Sequence, residues 1–344
     1  MDQAVAHGPV AVGEVGLVDR RAREEQEDAS LAPHATRAHG AGTRAVAEGP
    51  DRFRTCFQRD LDRIQHSRPF RRLAGKCQVF VAPDDDHLRT RLTHAIEVAQ
   101  VAASIARGAR LNVALTTAAA MGHDCGHGPG GHASEDALSP FVPGGYHHAV
   151  YGADVVLEPL NLCAETLDAI RNHSWNRPTP TTPEGEVVAW ADRIAYVCHD
   201  FEDAVDAGIV AASDLPPAVT DVIGTGRSSQ LGAFVSAMLE TIADTGVVAL
   251  RAPESDALAA FRAFNYERIY LRPEAREQAR RVVALLGALT ELFAGSPRSA
   301  DVAPGSDLAV AEAVRYVSGM TDRFALDLAV TRLGWDPHAL PQGV

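Results

Sequence analysis

Apolar residues recur at spacings of three and four along most of the chain, the period of a helix with one buried face. The clearest case is Thr90–Arg107, where Leu92, Ile96, Ala99, Ala103 and Ala106 form one expected buried stripe. Gly108 and Asn112 flank a short connection to a second helix, VALTTAAAMGHD, and such a link favours two antiparallel neighbours. A glycine-rich break, GHGPGG, follows, and HASEDALSPF starts a new short helix. After the turn at Pro143 and Gly144-Gly145 come YHHAVYGADVVLEPL and a helix over Ala164–His173. Thr182-Pro183-Glu184 then places a cap, a first-turn proline and an acid in order, launching a helix from about Glu184 to Val205.

The flanks are simpler. Residues 1–19 are expected to be a mobile, disordered tail, followed by a short charged helix around Arg20–Asp28. Leu61 and Ile64 punctuate a charged helix, Pro69 opens a helical turn over Phe70–Leu73, and CQVFVA suits a brief β segment. Beyond DAGIVAASDLPPAV, helical patterns alternate with Gly and Pro breaks to the end of the chain. No repeat, βαβ alternation or glycine-rich nucleotide fingerprint is present. The expected fold is all-α: one compact helical domain over 20–275 with a C-terminal helical extension over 276–344.

The totals narrow the chemistry. At 344 residues and a net charge of −13, the chain lacks the basic surface that non-specific nucleic-acid binding needs. An anionic substrate would need local help from a metal and arginines. Five dispersed cysteines read as reduced thiols in a cytoplasm, with Cys125 a small buried residue rather than a ligand. No apolar run approaches a membrane span, and the first residues lack the basic start and apolar core of a signal peptide.

Four residues on expected helices are candidate metal ligands: His94, the adjacent pair His123-Asp124, and Asp192. Two imidazoles and two carboxylates suit a divalent transition ion that keeps positions open for water or phosphate. Adjacent side chains point about 100° apart on a helix, so His123 and Asp124 converge only near its end, which Gly126 supplies. Asp192 lies within VVAWADRIAYV, where a bound cation explains it better than solvent. Tyr196, Asp200 and Asp203 share its face, Asp203 read as solvated. His127 and His132 exceed what one ion requires and suit proton transfer. Glu135, three residues after His132, is placed to orient it. One of His147 and His148 is expected to face outward, and His173 reads as structural or as support for the ligands. Arg91 shares a face with His94 and suits a metal-bound phosphate. Arg59, Arg63, Arg71, Arg72 and Lys76 read mostly as surface salt bridging.

The runs FQRDLDRIQHSRPFRRLAGKCQVF, RTRLTHAIEVAQ, HDCGHGPGGHASEDAL, ADRIAYVCHDFEDAV, FRAFNYERIYLRPEAR and VRYVSGMTDRFAL occur in this order over roughly residues 20–335. Together they resemble the HD-domain superfamily of metal-dependent phosphohydrolases, and more closely the deoxyguanosine triphosphate triphosphohydrolase family. The resemblance implies an HD-domain helical bundle with a divalent ion (Mg, Mn, Co, Ni, Fe or Zn) on His94, His123, Asp124 and Asp192. It implies that His132 with Glu135, helped by His127 and His148, serves the chemical step. Arg91 and Arg193 would meet phosphates, and Tyr196, Asp200, Tyr270, Gln78 and Arg268 would line the sugar or base pocket. The implied reaction is hydrolysis of a deoxynucleoside triphosphate at the α-phosphorus, releasing deoxynucleoside and inorganic triphosphate, in a homo-oligomer. YHHA departs from the family's aromatic-acid-His-Asn pattern. Two rival readings use the same residues: a 5′-nucleotidase or phosphodiesterase of HD type, and a nucleotide-binding regulator without turnover.

Overall fold

The computed structural model describes residues 11–81 and 85–343. Residues 1–10 of the expected tail lie outside the described residues, and 11–19 are exposed and form no helix. Among the described residues the protein is all-α, with fifteen α-helices and only isolated β-bridges. The helices are α1 (Arg20–Ser30), α2 (Cys56–Gln65), α3 (Arg68–Arg72), α4 (Arg91–Gly108), α5 (Val113–Gly122), α6 (Ala133–Leu138), α7 (His148–Tyr151) and α8 (Ala164–Asn172). They continue as α9 (Pro183–Asp206), α10 (Pro217–Ile223), α11 (Arg227–Thr245), α12 (Ala252–Asn265), α13 (Pro273–Gly295), α14 (Asp307–Ser318) and α15 (Asp322–Leu333).

Local chemistry sets the starts of the three helices that matter most. Thr90 and Thr93 cap α4 reciprocally, each side chain accepting from the other's backbone N–H. The Asn112 side chain accepts from Leu115 at the start of α5. Thr182 accepts from Gly185 with Pro183 in the first turn of α9. Each such cap stabilises its helix by about 1 kcal/mol. The main core then joins α4, α5, α8 and α9 to α11 and α12 through residues such as Ile105, Ile170, Val187, Phe234 and Phe261. The fully buried run Ala118–Ala120 brings α5 close to its neighbours. A second core joins Leu138 of α6 and Tyr146 to Leu286, Leu289, Val317 and Ala329 of α13, α14 and α15.

Three expectations change. Ile96 is 46% exposed, whereas Ala99, Ala103 and Ala106 are buried as expected, and the buried face of α4 also takes in Arg91, His94, Ala95, Val98, Ala102 and Ile105. Apolar spacing alone gave only part of that face because it includes a buried arginine and histidine. Asp203 is buried and paired with Arg89 rather than solvated. The β segment expected at Cys77 amounts to a single bridge with Thr90. It has no ladder to join, and the Cys77 N–H donates to the Asp322 carboxylate at 2.8 Å.

One glycine is required by a close approach of backbone. A Cβ on Gly126 would collide with the His148 carbonyl and the Gly152 backbone, so glycine lets the segment after α5 touch α7. Gly126→Ala is expected to lower the free energy of unfolding by about 2 to 3 kcal/mol through overpacking. Gly287→Ala, in α13 where an added Cβ meets nothing within 4 Å, should instead raise it by about 0.5 to 1 kcal/mol. Urea midpoints of the two variants against the parent check both signs.

Candidate active site

The first turn of α4 carries Arg91 and His94, the end of α5 carries His123 and Asp124, and the middle of α9 carries Asp192. The fold brings these together. His94 Nε2 lies 3.1 Å from Asp192 Oδ1, and His123 Nε2 lies 3.6 Å from the same oxygen and 3.5 Å from Asp124 Oδ1. The helix of α5 ends at Gly122, so His123 and Asp124 turn toward one point over its edge. His123 Nδ1 donates to the Ala120 carbonyl at 2.6 Å, which fixes the tautomer and leaves Nε2 facing inward without a hydrogen-bond partner. An orphaned, buried imidazole nitrogen between two carboxylates is the donor arrangement a divalent ion takes. His94, His123 and Asp124 together could hold such an ion, as could His123, His173 and Asp192.

Burial would lower the pKa of His123, but the carboxylates of Asp124 and Asp192 outweigh it and raise it to about 9. Burial would raise the pKa of Asp124, yet His123, Arg91 and His127 hold it well below the usual carboxylate range. Arg91 Nη1 donates to Asp124 Oδ2 at 2.7 Å and is itself fully buried. Arg91 therefore orients a ligand carboxylate as well as lining the cavity.

A histidine cluster adjoins this corner. The His127 ring stacks on His148 with centroids 3.8 Å apart, and His127 Nε2 is 3.2 Å from Asp124 Oδ1. Glu135 accepts from His148 Nδ1 at 2.6 Å and from its backbone N–H at 2.7 Å. Glu135 thus orients His148, not His132 as the three-residue spacing predicts. The backbone keeps the helical relation, with the Glu135 N–H donating to the His132 carbonyl at 3.0 Å, but Glu135 Oε1 is taken by both donors of His148. His132 is exposed at the cavity edge, 4.9 Å edge-on from His127. His148 is buried while the His147 side chain reaches Asn176 outside. His173 Nδ1 donates to the Ile170 carbonyl at 2.7 Å, and its Nε2 faces His148 Nε2 at 3.2 Å. Its Nδ1 bond to the carbonyl three residues back repeats that of His123.

A cavity of about 760 Å³ opens over the cluster, lined by Gln78, Arg91, Arg193, Tyr196, Asp200 and Tyr270. Arg268 stands apart from it, half exposed and 3.6 Å from Asp214. Sequence reasoning missed Arg262, Tyr266 and Trp175, which do line the cavity. Arg262, Tyr266 and Tyr270 follow one another at intervals of four, the spacing of one helical face, whereas Arg268 falls between them. Arg262 donates to the hydroxyls of Tyr196 and Tyr266, both at 3.1 Å, and Arg193 stacks on Trp175 at 3.4 Å. Among the described residues neither guanidinium has a carboxylate within ion-pair distance, in a chain of net charge −13. Tyr270 donates to Asp200 Oδ2 at 2.5 Å. Burial pushes the Asp200 carboxyl up to about 8 despite that bond.

Comparison with known proteins places these residues in a family. Residues 91–197 match the HD domain model, and residues 248–330 match the phosphohydrolase-associated domain model. The chain is 39% identical to a deoxyguanosinetriphosphate triphosphohydrolase-like protein of Caldanaerobacter subterraneus subsp. tengcongensis, covering 89% of this chain and 93% of that one. Proteins of the same description from Clostridium tetani and a Ruegeria species are 33% and 35% identical, over 94% and 97% of their lengths and 89% and 86% of this chain. The crystal structure of a hypothetical protein from Aquifex aeolicus shares the fold, with a TM-score of 0.50 and 16% identity over 80% of this chain and 68% of that one. No helix among the described residues is long and apolar enough to cross a membrane.

Two measurements follow from the electrostatics. Asp200 holds a proton in the folded chain that the unfolded chain loses near its ordinary value of 3.8, so stability through this group falls as pH rises from about 4 to about 8. The slope is at most about 1.4 kcal/mol per pH unit. Asp200→Asn should remove that slope, and denaturation curves at pH 5, 6.5 and 8 that differ from the parent by a constant would contradict the assignment. His123 keeps its proton up to about pH 9 without a cation, so a cation bound through Nε2 displaces it. Titration of Mn²⁺ at pH 7.5 in two buffers of different ionisation heat should show release of about one proton per ion. Release near zero would exclude that nitrogen as a ligand.

Proposed function

The chain belongs to the deoxyguanosinetriphosphate triphosphohydrolase-like family of HD-domain phosphohydrolases, and from that premise we propose that it hydrolyses a deoxynucleoside triphosphate at the α-phosphorus. The products are the deoxynucleoside and intact inorganic triphosphate. One observation carries this reading. A single cavity holds the His/Asp cluster, two arginines without carboxylate partners, and the Tyr270–Asp200 pair. A polyanion, a phosphorus centre and a sugar each find a matching surface there.

When bound on His94, His123, Asp124 and Asp192, a divalent ion would supply Lewis-acid polarisation at the α-phosphate and a more acidic water. The chain's own residues do the rest. Arg193 and Arg262, pre-oriented by aromatic stacking on Trp175 and Tyr266, neutralise charge on the triphosphate as water attacks its α-phosphorus and the 5′-oxygen leaves. Burial and the neighbouring His173 hold the pKa of His148 well below the usual imidazole range. With Nδ1 donating to Glu135, neutral His148 leaves Nε2 unprotonated, 3.9 Å from Asp124 Oδ1, free to accept a proton from a bound water. His132 is the imidazole of this cluster on the open side, and it gives the proton that the 5′-oxygen needs when the P–O bond breaks. The Asp200 carboxyl and Tyr270 hydroxyl receive the deoxyribose.

Incubation of the chain with each deoxynucleoside triphosphate and each of Mg²⁺, Mn²⁺, Co²⁺, Ni²⁺, Fe²⁺ and Zn²⁺, with chromatography of the products, tests the reading. Inorganic triphosphate with the matching deoxynucleoside is the expected result. Orthophosphate or pyrophosphate alone would favour a nucleotidase or phosphodiesterase. Asp192→Ala should abolish turnover, and His132→Ala should lower kcat by about a hundredfold with a smaller effect on KM.

A further inference from the structure

The glycine-rich loop that carries His127 and His132 is held from outside by two charged side chains. Lys76, grouped by sequence with surface arginines, is instead 2% exposed, and no carboxylate among the described residues lies within ion-pair distance of it. Its Nζ donates to the His127 carbonyl and, at 2.8 Å, to the Ser318 carbonyl at the end of α14. Asp322, opening α15, accepts from the Gly130 N–H at 2.9 Å through Oδ1 and from the Cys77 N–H at 2.8 Å through Oδ2. The Lys76 carbonyl in turn accepts from the Arg91 N–H at 2.9 Å. Three segments far apart in the chain therefore close on one another: residues 76–77, the loop 127–130, and the turn 318–322.

A buried amine whose only hydrogen-bond partners are two backbone carbonyls is an expensive way to hold a fold together. The groups it satisfies belong to the segments on which the site's geometry depends. His127 stacks on His148 and faces Asp124 within 3.2 Å, so a shift of about one ångström in the loop breaks both relations. We propose that Lys76 and Asp322 are positioning residues that lock the glycine-rich loop, so that the turn between α14 and α15 sets where His127 and His132 stand. The effect on catalysis rests on the reaction proposed above, whereas the lock itself does not.

The test uses Asp322→Asn and Lys76→Met in the full chain. Asp322→Asn keeps one acceptor but turns an amide donor toward the other N–H. Lys76→Met keeps the volume and removes the donor. Hydrogen exchange of a peptide covering residues 126–132 is expected to be at least tenfold faster in either folded variant, with a peptide from α9 within twofold of the parent. With Mn²⁺ and the deoxynucleoside triphosphate that the parent turns over best, kcat should fall at least tenfold while KM moves less than threefold. Exchange of the loop at the parent's rate in a folded variant would overturn the proposal, as would unchanged kcat beside a fast-exchanging loop. Failure of both variants to fold would also overturn it, making the pair a prop of the whole chain. A parent without turnover whose variants still show the faster loop would leave the lock standing and remove the reaction.

Discussion

The structure turns on the meeting of Asp192 with the His123-Asp124 corner. Two carboxylates and two imidazoles converge at the centre of a helical core, where each alone would cost several kcal/mol. They are tolerable because each charge has a partner: Asp124 has Arg91 and His127, and Asp192 has His94 and His123. Removing one carboxylate would leave a buried cation uncompensated, a loss of about 3 to 5 kcal/mol by the usual behaviour of such pairs. Much of the surrounding sequence serves this meeting. The alanines of α5 permit the close helix packing, Gly126 admits the α7 backbone, and the caps at Thr90, Asn112 and Thr182 fix where each helix begins.

The same corner explains how an acidic chain can present a surface for an anion. Many arginines are spent on carboxylates, as Arg89 is on Glu97, Glu202 and Asp203. Arg193 and Arg262 are held by rings and hydroxyls instead, which position a guanidinium without cancelling its charge. Across the cavity Asp200 is kept protonated near neutral pH by burial, so it adds no negative charge where phosphate would enter. Net charge is thus a poor guide to this cavity, and partner identity is a good one.

What the sequence made legible follows from this physics. The helices around the site were readable because their caps and apolar spacing are local, and Thr182-Pro183-Glu184 placed α9 within a residue of its start. The convergence of His94, His123, Asp124 and Asp192 was readable because ionisable residues embedded in apolar helical runs need a reason to be there. The partner of Glu135 was not. Its i,i+3 relation to His132 survives in the backbone, but spacing along one helix says nothing of His148, which the fold brings to the carboxylate. Arg262 and Tyr266 stand four apart on one helical face, but nothing local in the sequence says that this face meets the cavity. Lys76 looked like surface because its partners are carbonyls, which leave no trace in sequence.

The second core meets the histidine cluster at α6, and this explains why the C-terminal helices bear on chemistry they do not contain. Ala133, Ala137 and Leu138 pack into the second core against α13, where Val282 lies against Gly130. The other side of the same six-residue helix presents Glu135 to His148. A helix so short has little stability of its own, because nucleation outweighs the few hydrogen bonds it forms. Its position is therefore dictated by what it packs on. The orientation of His148 depends through Glu135 on α6, α6 depends on α13, and α13 is fixed by α14 and α15. The C-terminal helices act as the far wall against which the histidine cluster is registered.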